Sequence, residues 1–176
     1  MSDLLLVVDM QNTFVNEKVR PIIPNIIALI NKFKAANRLI AFSRFINSAT
    51  SNYVKLLQWD SCAVGAEIEI IPALMDYTKT AFVFDKPYYT PYTTEFKKYL
   101  TSNKITRIFI CGVTTESCVL KAALDVFEDN KEPIVVENAC YCDAGIESHK
   151  AGIFLISRNI GRKQVKSLQA VLEILN

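Results

Sequence analysis

The chain has 176 residues, of which 51% are hydrophobic and 22% charged, enough apolar material for one core and too little length for two. Its net charge of +2 comes from 20 basic and 18 acidic residues that interleave instead of forming a run, which argues against a nucleic-acid partner. No apolar stretch approaches the roughly 20 residues needed to cross a bilayer, and the opening MSDLLLVVDM has no basic leader; a single domain over 1–176, cytoplasmic and with no membrane partner, is expected.

The apolar run LLLVV (4–8) reads as a first strand, followed by a helix from 22 to 36 and a second strand over 38–43. Pro21 and Pro24 sit near the helix start, where a missing backbone donor matters least. Residues 46–77 mix polar, helical and strand signals and read as a variable excursion over the sheet edge. A strand at 81–84, a helix over 94–100 and a strand over 105–111 come next. A helix over 115–128 carries Val119, Ala122, Ala123, Val126 and Phe127 on one apolar face. A strand at 133–136, a helix over 149–156 and an amphipathic segment from 166 to 175 complete the chain. Strands alternating with helix-length segments predict an α/β fold, a mostly parallel sheet with helices on both faces.

In such folds chemistry sits at the carboxyl ends of strands, and three polar groups fall there: Asp9 after LLLVV, Lys86 after AFVF, and Cys118 shortly after RIFIC. In CGVTTESC, Gly112 permits a tight turn, Thr114 or Thr115 can cap the next helix, and Cys118 falls near its first turn. Free backbone N–H groups there favour a thiolate and can receive charge developing on a substrate oxygen. Cys118 taken alone fits a buried core thiol as well as a nucleophile. Asp9 fits a turn residue as well as a proton acceptor, and Gln11 fits either an Asp9 orienter or a backbone anchor. Lys86 fits a surface lysine or, pointing inward, a partner for Asp9 and the thiol. Tyr88, Tyr89 and Tyr92 suit a pocket wall or loop packing.

Cys62, Cys111, Cys118, Cys140 and Cys142 are an odd set in a chain that can make its own core, and they read as reduced thiols. Cys140 and Cys142 lack both zinc-ribbon and C-x-x-C spacing. The segment after RIFIC also lacks the G-x-G-x-x-G cradle of a dinucleotide domain, so no cofactor is expected.

LLLVVDMQNTF, KPYYTPY and CGVTTESCV, in that order, resemble the opening aspartate, lysine and nucleophile motifs of the isochorismatase-like cysteine hydrolases, a family that includes nicotinamidases and N-carbamoylsarcosine amidases. The resemblance implies a three-layer α/β/α, Rossmann-like fold with six strands, Asp9 as general base, Cys118 as nucleophile and Lys86 as electrostatic partner. It further implies a cis peptide at Val113–Thr114, with Thr114 and the N–H of Cys118 as oxyanion-hole candidates. Gln11, Phe14, Arg44, Tyr89 and Tyr92 are candidates for the pocket of a small-molecule substrate, Arg44 suiting a structural role equally well. Metal-binding relatives carry histidines after the second strand, where AFSRFINSATSNY has none. His149, the single histidine, suits a structural or surface role, so no metal is expected. Relatives imply a homodimer or homotetramer and hydrolysis of a C–N bond in a small amide, ureide or carbamoyl compound. A non-catalytic binding protein and a vinyl ether hydrolase are the alternatives.

Overall fold

Burial at every position of β1 (Asp3–Val8) marks a strand covered on both faces. This computed structural model describes residues 2–175. β1 lies inside a sheet completed by β2 (Leu39–Phe45), β3 (Phe82–Lys86), β4 (Arg107–Val113), β5 (Glu132–Tyr141) and β6 (Val165–Lys166), in the order β3-β2-β1-β4-β5-β6. All five neighbouring pairs are parallel. The chain builds outward from β1 through β2 to β3 and then restarts on the other side with β4, so the strand order reverses between β1 and β4. That reversal opens a crevice at the carboxyl ends of the two strands.

Among the described residues seven α-helices flank the sheet: α1 (Ile23–Ala35), α2 (Asn52–Leu57), α3 (Pro72–Thr78), α4 (Thr94–Ser102), α5 (Leu120–Glu128), α6 (Ile146–Ile160) and α7 (Leu168–Ile174). Right-handed crossovers running in opposite directions from the reversal put helices on opposite faces, giving the three-layer α/β/α arrangement. α1 contacts α3 and α7, while α5 and α6 pack on each other.

Several elements differ from their sequence-based bounds. β3 runs through Lys86, which is therefore the last residue of the strand instead of lying just past its end at 84. Strand alternation then separates the end pairs of β2 and β3: Phe45 lies opposite Lys86 on the buried side, and Arg44 lies opposite Asp85 on the other. The strand expected at 133–136 continues to Tyr141 past a register irregularity. The expected excursion over 46–77 contains α2, a 3-10 turn at Gly65–Ile68 and α3. Its near end is tied by polar side chains: Asn47 donates to the carbonyls of Trp59 and Ser61, each at 3.1 Å, and accepts from Ser51 Oγ at 2.6 Å. Ser51 in turn caps α2.

The helix expected from 115 begins as a wide π turn, Thr115–Val119, before α5 takes over. Neither Thr114 nor Thr115 caps it with a side chain; the Ser117 and Val119 N–H groups both donate to the Thr114 carbonyl, at 3.2 and 3.1 Å. Gly112 enters this segment at φ +112°, and a Cβ there would meet the Val8 carbonyl oxygen at 2.2 Å. Only glycine lets β4 pass the end of β1 so closely.

Candidate active site

Asp9 follows β1 with φ +50°, a left-handed conformation that aspartate tolerates better than most residues. The turn sends its carboxylate into the crevice, 1% exposed. Oδ1 accepts from Ser43 Oγ at 2.7 Å. Oδ2 lies 2.7 Å from Lys86 Nζ, an ion pair that falls short of a directed hydrogen bond. Lys86 has no exposed surface, and its ammonium also donates to the Tyr88 carbonyl at 2.9 Å and to Cys118 Sγ at 3.3 Å, with the Tyr89 carbonyl at 3.4 Å and the Phe45 ring centroid at 5.4 Å. Burial pulls the Lys86 pKa down most strongly, yet the Asp9 carboxylate and the Cys118 sulfur together outweigh it and leave the value raised, so the lysine remains charged.

The structure thus brings Asp9, Lys86 and Cys118 together at one cavity of about 230 Å³: Asp9, Val113, Thr114 and Cys118 line it, and Lys86 lies beneath that lining, in contact with Asp9 and Cys118. The Val113–Thr114 peptide is cis. The thiol differs from its sequence-based expectation. Burial, followed by the field of Asp9, raises its pKa, and Lys86 opposes this incompletely. The resting group is therefore a thiol, and any nucleophilic role needs a proton acceptor at hand.

The π turn is clamped from behind. Thr115 Oγ1 and His149 Nδ1 lie 2.8 Å apart, and the imidazole stacks on Tyr141 with centroids 5.2 Å apart. Gly152 of α6 packs directly against the same turn, since a Cβ there would meet the Glu116 nitrogen at 2.8 Å. Burial holds the His149 pKa below its ordinary value of 6.5, while Glu137 and Glu116 oppose the shift. The unfolded chain therefore binds the proton more readily, so the stability from neutral His149 is present above about pH 6.5 and lost as pH falls. The melting temperature is expected to drop between about pH 7.5 and 5.5 and to drop less in His149→Gln. Calorimetric melts across that range check this, and equal slopes in both proteins would remove His149 as the cause.

Three residues expected at the pocket lie outside its lining. Gln11, fully buried, accepts from the Phe45 N–H at 2.7 Å and donates to the Phe45 and Ile68 carbonyls, each at 2.9 Å, so it staples the loop instead of facing a ligand. Arg44 forks onto Asp85 at 2.7 and 3.0 Å on the opposite side of the strand pair from Lys86. Tyr92 donates to Asp129 at 3.2 Å and packs edge-on against Phe96. Phe14 and Tyr89 do line the cavity.

Phe45, Tyr53 and Trp59 complete its aromatic walls, and Thr13, Leu57, Glu116, Ser117 and Asp143 also line it. Sequence reasoning assigned none of these to the pocket. The strand alternation that puts Phe45 beside Lys86 was available as a signal; the inward turn of Tyr53 and Trp59 depends on the Asn47 anchor, which belongs to no motif.

A parallel sheet with a buried carboxylate, ammonium and thiol converging near its strand-order reversal has the make-up of an enzyme active site on a three-layer α/β fold. The Isochorismatase domain model matches residues 3–163, and the chain belongs to that family of hydrolases. A probable inactive nicotinamidase of Arabidopsis thaliana is 25% identical over 176 residues, covering 90% of this chain and 89% of the relative. Among solved structures, an isochorismatase-like hydrolase from Alkaliphilus metalliredigens superposes with a TM-score of 0.85 at 18% identity over 100% of both chains. N-carbamoylsarcosine amidase from Thermoplasma acidophilum does so with a TM-score of 0.81 at 20% identity, over 96% of this chain and 97% of that one. Among the described residues, no helix is long and apolar enough to cross a membrane.

Proposed function

We propose that the protein is a cysteine-dependent hydrolase that cleaves the C–N bond of a small amide, ureide or carbamoyl compound. The observation that carries this is the contact of one buried ammonium with both Asp9 Oδ2, at 2.7 Å, and Cys118 Sγ, at 3.3 Å, beside a cavity sized for a small molecule. Ser43 holds Oδ1, and Oδ2 retains a lone pair for the thiol proton because no directed donor occupies it.

Asp9 takes the proton from Cys118, and the thiolate attacks the substrate carbonyl carbon, forming the C–S bond as the C=O electron pair moves to oxygen. Lys86 stabilises the sulfur anion, and the turn from Thr114 to Cys118 offers the backbone donors for the oxyanion. The oxyanion collapses, the C–N bond breaks, and protonated Asp9 gives its proton to the departing amine. Water then attacks the thioester with Asp9 as base, returning the acid product and the free thiol.

The same cavity also suits a protein that binds its ligand without turnover. The raised thiol pKa and the similarity to a relative named as inactive support that alternative. A panel of small amides, ureides and carbamoyl compounds separates the two. Wild-type protein is expected to release amine from at least one member, and Cys118→Ala to release none; equal hydrolysis by both proteins would overturn the nucleophile assignment. A cytoplasmic, homo-oligomeric state belongs to the same proposal, the second supported by the exposed Phe127, Phe154 and Leu155 on α5 and α6.

A further inference from the structure

The cavity walls have a composition that the reaction alone does not require. Phe14, Phe45, Tyr53, Trp59 and Tyr89 form a chain of ring contacts with centroids 4.9 to 6.3 Å apart. Burial first, with smaller contributions from neighbouring groups, pushes the Tyr53 phenol up to about 12 and raises that of Tyr89, so both present neutral rings. Glu116 and Asp143 line the same space, and among the described residues no lysine, arginine or histidine does. The Asp9 charge is matched by Lys86 beneath the floor. The two wall carboxylates have no such partner: Cys142 Sγ donates to Glu116 Oε1 at 2.8 Å, while Glu116 Oε2 is buried without any hydrogen-bond partner among the described residues.

A buried carboxylate oxygen left without a donor is costly, and a charged N–H group satisfies it best. Aromatic faces around it attract the same kind of group, because a cation within about 6 Å of a ring centroid is stabilised by the ring's negative face. A carboxylate-bearing ligand would meet Glu116 and Asp143 with like charge and find no cation in the walls.

We propose that the substrate is a small carbonyl compound carrying a cationic ammonium group, held in the aromatic box with its charge against Glu116 while its carbonyl faces Cys118. This rests on the hydrolase assignment for the placement of the carbonyl and adds the class of the remainder of the molecule. Glu116 is the specificity-determining residue. Cys142 orients it through Oε1, and the carboxylate lines the cavity that the ligand enters.

The test is binding, read by calorimetry on Cys118→Ala so that turnover plays no part and failure of the nucleophile assignment cannot mimic failure here. The ligands are glycinamide, β-alaninamide and 4-aminobutanamide, which vary the spacing between ammonium and carbonyl. Propionamide, butyramide and pentanamide are their neutral isosteres, and succinamate is the anionic control. At least one ammonium compound is expected to bind about 10-fold or more tightly than its isostere, with succinamate weakest. Adding Glu116→Gln should bring the ratio close to one, while adding Glu116→Asp, which keeps the charge, should retain part of the preference. Equal affinities for charged and neutral partners, tighter binding of succinamate, a preference that survives Glu116→Gln, or no binding by any member would each overturn the proposal.

Discussion

Lys86→Met is expected to destabilise the fold by about 3–5 kcal/mol, because it leaves the Asp9 carboxylate buried without its counter-charge. The exposures of 0% for Lys86 and 1% for Asp9 decide the magnitude: a pair this dry is not screened by water, whereas an exposed pair would contribute less than about 1 kcal/mol. The methionine fills most of the space, so packing loss is secondary and the unpaired charge dominates. The Tyr88 carbonyl, which accepts from the same ammonium at 2.9 Å, also loses its partner. Adding Asp9→Asn removes the uncompensated charge, and the double variant should be more stable than the sum of the single losses by about 1–3 kcal/mol. Urea unfolding of the four proteins measures this; a Lys86→Met loss below about 1 kcal/mol would mean that the pair is far better solvated than its burial indicates.

Asp9→Asn is expected to lower turnover about 100- to 10,000-fold, the range typical of a lost general base. The pH dependence separates this role from a purely structural one. Burial and the Asp9 field hold the Cys118 thiol above its ordinary value, with Lys86 opposing. Without the carboxylate the thiol must lose its proton to solvent, so the residual rate of the variant should climb with pH through the alkaline range. Wild-type protein, with a base in contact, should already turn over at neutral pH. The comparison is made per folded molecule, because the variant also leaves Lys86 buried without its carboxylate. A variant that keeps the wild-type pH profile at reduced amplitude would assign Asp9 to positioning and not to proton transfer.

Much of this arrangement was legible in the chain. Alternating apolar strands and helix-length segments were enough for a doubly covered parallel sheet, and three polar residues after three of those strands were enough to nominate Asp9, Lys86 and Cys118. What strand ends and motifs could not convey was direction. Arg44 and Phe45 are adjacent in β2, yet pleating turns one toward Asp85 and the other toward Lys86. Tyr92, like Tyr89, belongs to a tyrosine and proline cluster, but its hydroxyl is drawn to Asp129 at 3.2 Å. Gln11 is used up by backbone groups of Phe45, at the end of β2, and of Ile68, at the end of the 3-10 turn. The aromatic box was hidden for a related reason: Tyr53 and Trp59 reach the cavity through the Asn47 anchor, whose partners lie 12 and 14 residues away. The resting state of Cys118 was also illegible, because a turn at the start of a helix lowers a thiol pKa while burial raises it, and burial prevails only once the chain is folded.

During turnover the Cys118 sulfur is expected to bond covalently to the substrate carbon. Acid-quenching the protein within the first turnovers of an active amide or ureide, then measuring intact and peptide masses, reads this bond. The expected result is an added acyl mass on the peptide containing Cys118, absent from Cys118→Ala and discharged by hydroxylamine. An acyl group on another residue, or turnover by Cys118→Ala at the wild-type rate, would remove Cys118 as the nucleophile.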